Sequence, residues 1–443
     1  MVADAAAHAT SPMFVTATAI LIATYALIVS ERVNRAVIAL IGAGAVIILG
    51  VLDQAEAIRA IDFNTLGLLA GMMTIVGVAR KSGLFGYVAI RAAQMVRASP
   101  AGILVALSLV TAVFSAFLDN VTTVLLLVPV TFIICGELKV PVYPFLVTEI
   151  FAGNIGGTAT LIGDPPNILI GSAAHLSFNA FVVNLAPVIA IILTLQMIAN
   201  HFIWGIRLTA APEEKTRVMG LQPVEMIVDR WLLWCSLVII GAVIVAFVFA
   251  HQLHLEAATI ALTGAGVMML LETLPHRAHK HAELVTHAFH EVEWITLFFF
   301  VGLFVVVGGV EHAGLLGLLG HWLVDATGGD PAITAYGILW SSAVLSAIVD
   351  NIPFVATMIP LIKSLGPSLG GPEALVPLWW SLSLGACLGG NGTLVGASCN
   401  LMVAGIAEKN GVRFSFLKFS MVAMPMMLAS IAVAQIYLMW RFF

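Results

Sequence analysis

Gly156-Gly157-Thr158-Ala159-Thr160-Leu161-Ile162-Gly163-Asp164-Pro165-Pro166-Asn167 returns later in the chain as Gly389-Gly390-Asn391-Gly392-Thr393-Leu394-Val395-Gly396-Ala397-Ser398-Cys399-Asn400. The second copy keeps three glycines, the Thr-Leu step and the closing asparagine. Glycine and proline at this density cannot continue as one helix. Both copies nevertheless sit in strongly apolar surroundings. A helix broken inside a bilayer frees backbone N–H and C=O groups, which is tolerated where they line a cavity or hold a solute.

The whole chain has the composition of a membrane protein. Of 443 residues, 60% are hydrophobic and 10% charged, and the mean hydropathy is +1.06. Soluble domains carry about 25% charged residues. Nineteen Lys+Arg and 24 Asp+Glu cannot cover a water-facing surface. A soluble enzyme, a nucleic-acid binder and a disordered chain are excluded. The net charge of −5 lies mostly in loops and points to no partner. Runs such as Phe14–Val29, Ala36–Val51 and Trp231–Ala250 have the length of a spanning helix, about 20 residues. A β-barrel would instead alternate with period two.

The expected fold is an all-α polytopic membrane protein. Crossings are predicted at 14–30, 34–51, 63–79, 142–173, 181–206, 231–250, 255–272, 292–310, 376–407 and 414–440. The stretches 101–134 and 331–365 carry Asp119-Asn120 and Asp350-Asn351 near their middles and are predicted as re-entrant helical hairpins. With the N-terminus outside, sixteen of the nineteen Lys and Arg fall on the cytoplasmic side, leaving Arg59, Lys363 and Arg441 outside. That bias is the positive-inside pattern, and it puts both termini outside the cytoplasm of a plasma (inner) membrane. The N-terminal MVADAAAHATSPM lacks a basic signal-peptide start, so the first span is expected to be retained. Cys135, Cys235, Cys387 and Cys399 read as membrane-packed thiols. The polar segment 208–230 reads as a cytoplasmic linker between a first repeat, 1–207, and a second, 231–443. The His-rich 275–291 reads as a solvated loop rather than a metal site.

Four collinear matches support the repeat. Asp62–Leu66 pairs with Glu293–Leu297, Ser82-Gly83-Leu84 with Ala313-Gly314-Leu315, and Asp119-Asn120 with Asp350-Asn351, all at one offset; the broken segments follow after a shift of two residues. The predicted span at 63–79 runs inward and its partner at 292–310 outward, so the repeats are inverted. Inverted repeats with broken helices are the architecture of secondary transporters. A channel is the different-class alternative, but no filter-like ring or voltage-sensing Arg series is present.

Polar residues within these segments are the candidate substrate- and ion-binding set. An aspartate at the bilayer centre costs roughly 2.5–3.5 kcal/mol on insertion scales, so Asp119, Asp164 and Asp350 need a reason to be there. Asn120, Thr122 and Thr123 accompany the first tip, Asn351 the second. Asn154, Gly157, Thr158, Thr160 and Asn167 belong to the first broken helix; Asn391, Thr393, Ser398 and Asn400 belong to the second. Freed carbonyls and amide oxygens suit Na⁺, with Asn120, Asn154, Asn351 and Asn391 as candidate ligands, while half-helix N-termini suit an oxyanion. Asp164 has no counterpart carboxylate, since Ala397 stands in its place. It is either a coupling group or the cap of the half-helix beginning at Pro165. No Arg or Lys is expected near the broken segments, which favours a neutral or monovalent substrate over a di- or tricarboxylate.

FLDNVTTVLLLVP (117–129) and NIGGTATLIGDPPNILI (154–170) resemble signatures of the ArsB/NhaD branch of the ion-transporter superfamily, with arsenite-permease-like proteins and the P protein. The first is also similar to the tip motif of divalent-anion/sodium symporters, with Asp119 where those have serine. The resemblance implies a homodimer in membrane lipid, a scaffold and a mobile transport unit in each protomer, and elevator-type alternating access. Its implied function is proton-coupled efflux of arsenite, antimonite or a related small oxyacid. The alternatives are a Na⁺/H⁺ antiporter and a sodium-coupled anion symporter. The coupling ion is then H⁺ or Na⁺, with no resident cofactor, no nucleic-acid partner and room for a cytoplasmic ATPase partner. No nucleotide-binding loop or nucleophile–base constellation suggests an enzyme.

Overall fold

A computed structural model describes residues 11–30 and 32–443, so most of the N-terminal stretch weighed as a signal peptide lies outside the described residues. Every regular element among the described residues is helical. In the first half these are α1 (Pro12–Val29), α2 (Arg35–Ile48), α3 (Gln54–Ala60), α4 (Phe63–Arg80), α5 (Leu84–Met95), α6 (Pro100–Phe117), α7 (Asn120–Leu138), α8 (Tyr143–Gly157), α9 (Pro165–Ala173) and α10 (Phe178–Ile203). Then follow α11 (Pro212–Gly220), α12 (Arg230–Val248), α13 (Ala250–Leu253), α14 (Ala257–Thr273), α15 (Ala278–His290), α16 (Trp294–His312), α17 (Leu315–Thr327), α18 (Pro331–Ile348), α19 (Asn351–Leu369), α20 (Val376–Gly389), α21 (Ser398–Lys409) and α22 (Phe416–Phe442).

The repeat extends to individual contacts. Ser115 donates to the Gly153 carbonyl and Ser346 to that of Ala386, both at 2.6 Å. Thr160 ties α6 through the Ala116 carbonyl, as Thr393 ties α18 through that of Ala347. A Cβ on Gly156 would lie 2.2 Å from the Ala112 carbonyl oxygen, and one on Gly389 would lie 2.6 Å from that of Ala343. Glycine is required at both positions because broken helix and hairpin touch backbone to backbone. Both hairpins carry an internal proline at matching places, Pro129 and Pro360.

The halves interlock instead of standing apart. α2 packs on α16 and, reciprocally, α14 on α4; α1 and α12 complete this group. α9 packs on α19 while α21 packs on α7, so the broken helix of each half docks on a hairpin arm of the other. The inversion shows in α4 and its counterpart α16. Arg80, closing α4, bonds Glu291, just before α16, at 2.8 Å. At the other end a Cβ on Gly308 would stand 2.7 Å from that of Ala60, just before α4. These two helices are antiparallel, as a two-fold axis in the membrane plane requires.

Three expectations change in detail. Among the described residues ten helices are long and apolar enough to cross a membrane, but they include the four hairpin arms α6, α7, α18 and α19. They exclude α2, at 14 residues, and α14, at 17. The linker is ordered: α11 lies against α7, with Arg217 bonding the Glu137 carbonyl and Gln94 reaching that of Leu221. The His-rich segment is mostly helix, and among the described residues no group of His, Cys, Asp or Glu is placed to hold a metal. All four cysteines are buried and unpaired.

Candidate functional site

The hairpin tips meet inside the protein. Asp119 caps α7 by accepting from the Thr122 amide at 2.7 Å and its hydroxyl at 2.5 Å. Asp350 caps α19 by accepting from the Ile352 amide at 3.2 Å. Both tips reach a chamber of about 30 Å³ lined by Asp119, Asn120, Asp164, Glu293, Thr296, Asn351, Ala397, Ser398 and Arg35. That volume holds one or two waters or a small ion.

Asp164 stands at the N-cap of α9, yet its side chain makes no capping bond. It is 1% exposed, and its Oδ2 has no hydrogen-bond partner. Capping therefore does not account for the carboxylate. An unpaired buried carboxylate is costly enough to require a proton or a cation when the chamber is sealed. Glu293, the residue before α16, accepts from the Thr296 hydroxyl at 3.0 Å and adds a further acid to the wall.

Arg35 is the main correction to the sequence expectation, which left the broken segments without a basic neighbour. From the first turn of α2 its guanidinium bonds Asp350 and, at 3.0 Å, the Ser398 hydroxyl, which itself donates to Asp350 at 3.0 Å. The guanidinium also lies 5.1 Å from the centre of the Phe299 ring. α2 is about 21 Å long at 1.5 Å per residue, shorter than the roughly 30 Å hydrocarbon core. A helix of that length can begin below the membrane surface, and a long side chain covers the remaining distance.

Beside the chamber runs a ladder of amides. Asn120 donates to Asn154 at 3.0 Å, and Asn154 donates to Asn391 at 2.9 Å and Asn400 at 3.0 Å. Asn167 donates to the Thr158 and Thr160 carbonyls, and Asn400 to those of Gly390 and Thr393, so each asparagine closes its own broken loop. Ser383 and Cys399, absent from the sequence set, donate to Asn167 and Asn154 at 2.6 and 3.0 Å. Of the four candidate Na⁺ ligands, Asn120, Asn154 and Asn391 are bonded to one another, while Asn351 faces the chamber. Thr158 bonds its own helix, Gly157 packs on Gly163, and Thr123 is buried with an unpartnered hydroxyl. Glu149, also unforeseen, is buried in α8 against Thr131.

Two inverted helical repeats, paired hairpin tips and broken helices around a small polar chamber define a membrane transporter. Residues 25–385 match the CitMHS family, described as citrate transporter, and the chain belongs to that family. It is 42% identical over 435 residues to a protein of Mycobacterium tuberculosis described as an uncharacterized transporter, covering 97% of this chain and 99% of that one. It is 34% identical to the P protein of Homo sapiens, covering 96% of this chain and 59% of that protein. Among solved structures, the Alcanivorax borkumensis YdaH transporter superposes with a TM-score of 0.62 at 16% identity, covering 88% of this chain and 90% of that one.

Proposed function

We propose that the protein is a proton-coupled secondary active transporter for a small oxyacid, working by elevator-type alternating access. The observation that carries this is Asp164, buried in the chamber between the tips with an unpartnered oxygen. Protonation neutralises it when the chamber seals, and release to the other side recharges it. Arsenite and antimonite are the inorganic substrates that the ArsB/NhaD-like motifs suggest, taken as neutral acids through hydroxyl and amide contacts. The six-helix group α1, α2, α4, α12, α14 and α16 is the scaffold and dimer surface; the hairpins and broken helices move against it. Na⁺ at the asparagines is the alternative coupling ion. The charge bias supports an inner-membrane protein with both termini outside the cytoplasm.

A tricarboxylate such as citrate is the second substrate, favoured by Arg35 in the chamber wall and by the family's description. Proteoliposomes under an imposed pH gradient decide. We expect uphill accumulation of arsenite or antimonite, with citrate as the competing result. Movement that only equilibrates would mean a channel, and Na⁺ or Li⁺ movement alone would mean an antiporter.

A further inference from the structure

A second cavity, of about 450 Å³, lies on the far side of Arg35 from the small chamber between the tips. Its described lining includes Arg32, Asn34, Arg35, Asp350, Ser398 and Met402. Arg35 and Ser398 line both spaces, so the Arg35–Asp350–Ser398 cluster is the partition between them. It is also a bond between two bodies: Arg35 belongs to the helix group around α2 and α16, whereas Asp350 and Ser398 belong to a hairpin tip and a broken helix. The cavity has the size of a small-molecule site. Arg32 and Arg35 give it the cationic fork groups that recognise carboxylates and oxyanions. The chamber beyond holds only about 30 Å³, too little for such a molecule while the partition stands.

We propose that this cavity is the docking site for a small carboxylate or oxyanion on the side that the charge bias assigns to the cytoplasm, and that the bound anion opens the chamber by competing with Asp350 for Arg35. The inference rests on the carboxylate reading of the proposed transport function and adds the contact through which the bound anion releases the hairpin tip. Arg35 holds Asp350 and Ser398 against the helix group when the cavity is empty. An anion on the guanidinium frees Asp350, and the hairpin tip can then leave.

The test reads access rather than flux, so it stands apart from the question of proton coupling. Val121 lines the chamber, and Val121→Cys places a thiol there. A membrane-impermeant methanethiosulfonate is applied to the cytoplasmic face of inside-out vesicles, with citrate, inorganic phosphate or chloride at equal ionic strength; unsubstituted protein sets the background from its buried cysteines. We expect slow labelling in chloride and at least about fivefold faster labelling in citrate or phosphate. Val121→Cys with Asp350→Asn should label fast in all three salts, and Val121→Cys with Arg35→Gln should label fast without any anion response. Arg35→Lys, which keeps the charge, guards against misfolding of the Gln variant and should retain a weaker response. Equal rates in all three salts for the Val121→Cys protein, or an anion response that survives Arg35→Gln, would overturn the proposal.

Discussion

The two hairpin tips share an Asp-Asn step, a fold and a helix-capping aspartate, yet they meet opposite charges. Asp350 is bound by Arg35 from α2. Asp119 is satisfied within its own tip by Thr122, and the neighbouring helix group offers it Glu293 across the same chamber. Behind the tips the broken helices differ in the same sense: the first places Asp164 in the wall and the second Ala397. Duplication thus supplied the frame, and departures from symmetry supplied the chemistry. One tip is held by a charge pair, while the other faces two further acids, Asp164 and Glu293, across the chamber.

Symmetry itself is easiest to break at the glycine contacts. Gly156→Ala drives a Cβ into the Ala112 carbonyl at 2.2 Å, and neither backbone can move without the other. We expect a loss of 3 kcal/mol or more, the upper end for overpacking, seen as failure to obtain monodisperse protein. Gly405→Ala, in the second broken helix with nothing within 4 Å of a new Cβ, should leave thermal stability unchanged or raise it by about 0.5–1 kcal/mol.

The tips themselves give the next effect. Asp350→Asn removes the charge that faces Arg35 and should lower thermal stability by roughly 1.5–3 kcal/mol, the range for hydrogen bonds to charged groups. Asp119→Asn keeps an equally good helix cap and relieves repulsion from Glu293, so its change should stay within about 0.5 kcal/mol. Melting curves of the two variants in the same detergent compare them directly; equal losses would show that the tips are held alike.

The smallest effect concerns sulfur. Cys135 and Cys235 lie apart from the chamber, and Cys387 and Cys399 act as weak donors to Asn167 and Asn154. A variant with all four replaced by Ala or Ser is expected to transport at a rate within about threefold of the parent, since an S–H donor contributes little. Abolished transport by a folded cysteine-free protein would contradict this and point to a route through thiolates.

Much of this was legible because it is written in local chemistry. Glycine and proline in apolar sequence mark the broken helices, Asp-Asn marks the tips, and the constant offset marks the repeat. Arg35 was not legible. It lies 315 residues from Asp350, and counting charges by side records only that Arg35 stands at the cytoplasmic end of a span. The one available signal was helix length, because the left-handed turn at Gly50 and the Asp53 cap after it cut α2 short of a full crossing. Glu293 was visible only as the repeat mate of Asp62, since its neighbours come from the hairpins. The His-rich segment read as a loop because its polarity masked a helix anchored by His276 and His281 on backbone carbonyls.

Whether Asp164 is the proton-carrying group is tested most directly by Asp164→Asn in proteoliposomes, comparing substrate exchange with accumulation driven by a pH gradient. Asparagine keeps the shape and loses the titratable charge. The account predicts that exchange persists near the parent rate while pH-driven accumulation disappears. Accumulation undiminished in Asp164→Asn would contradict it and place coupling at another group of the chamber.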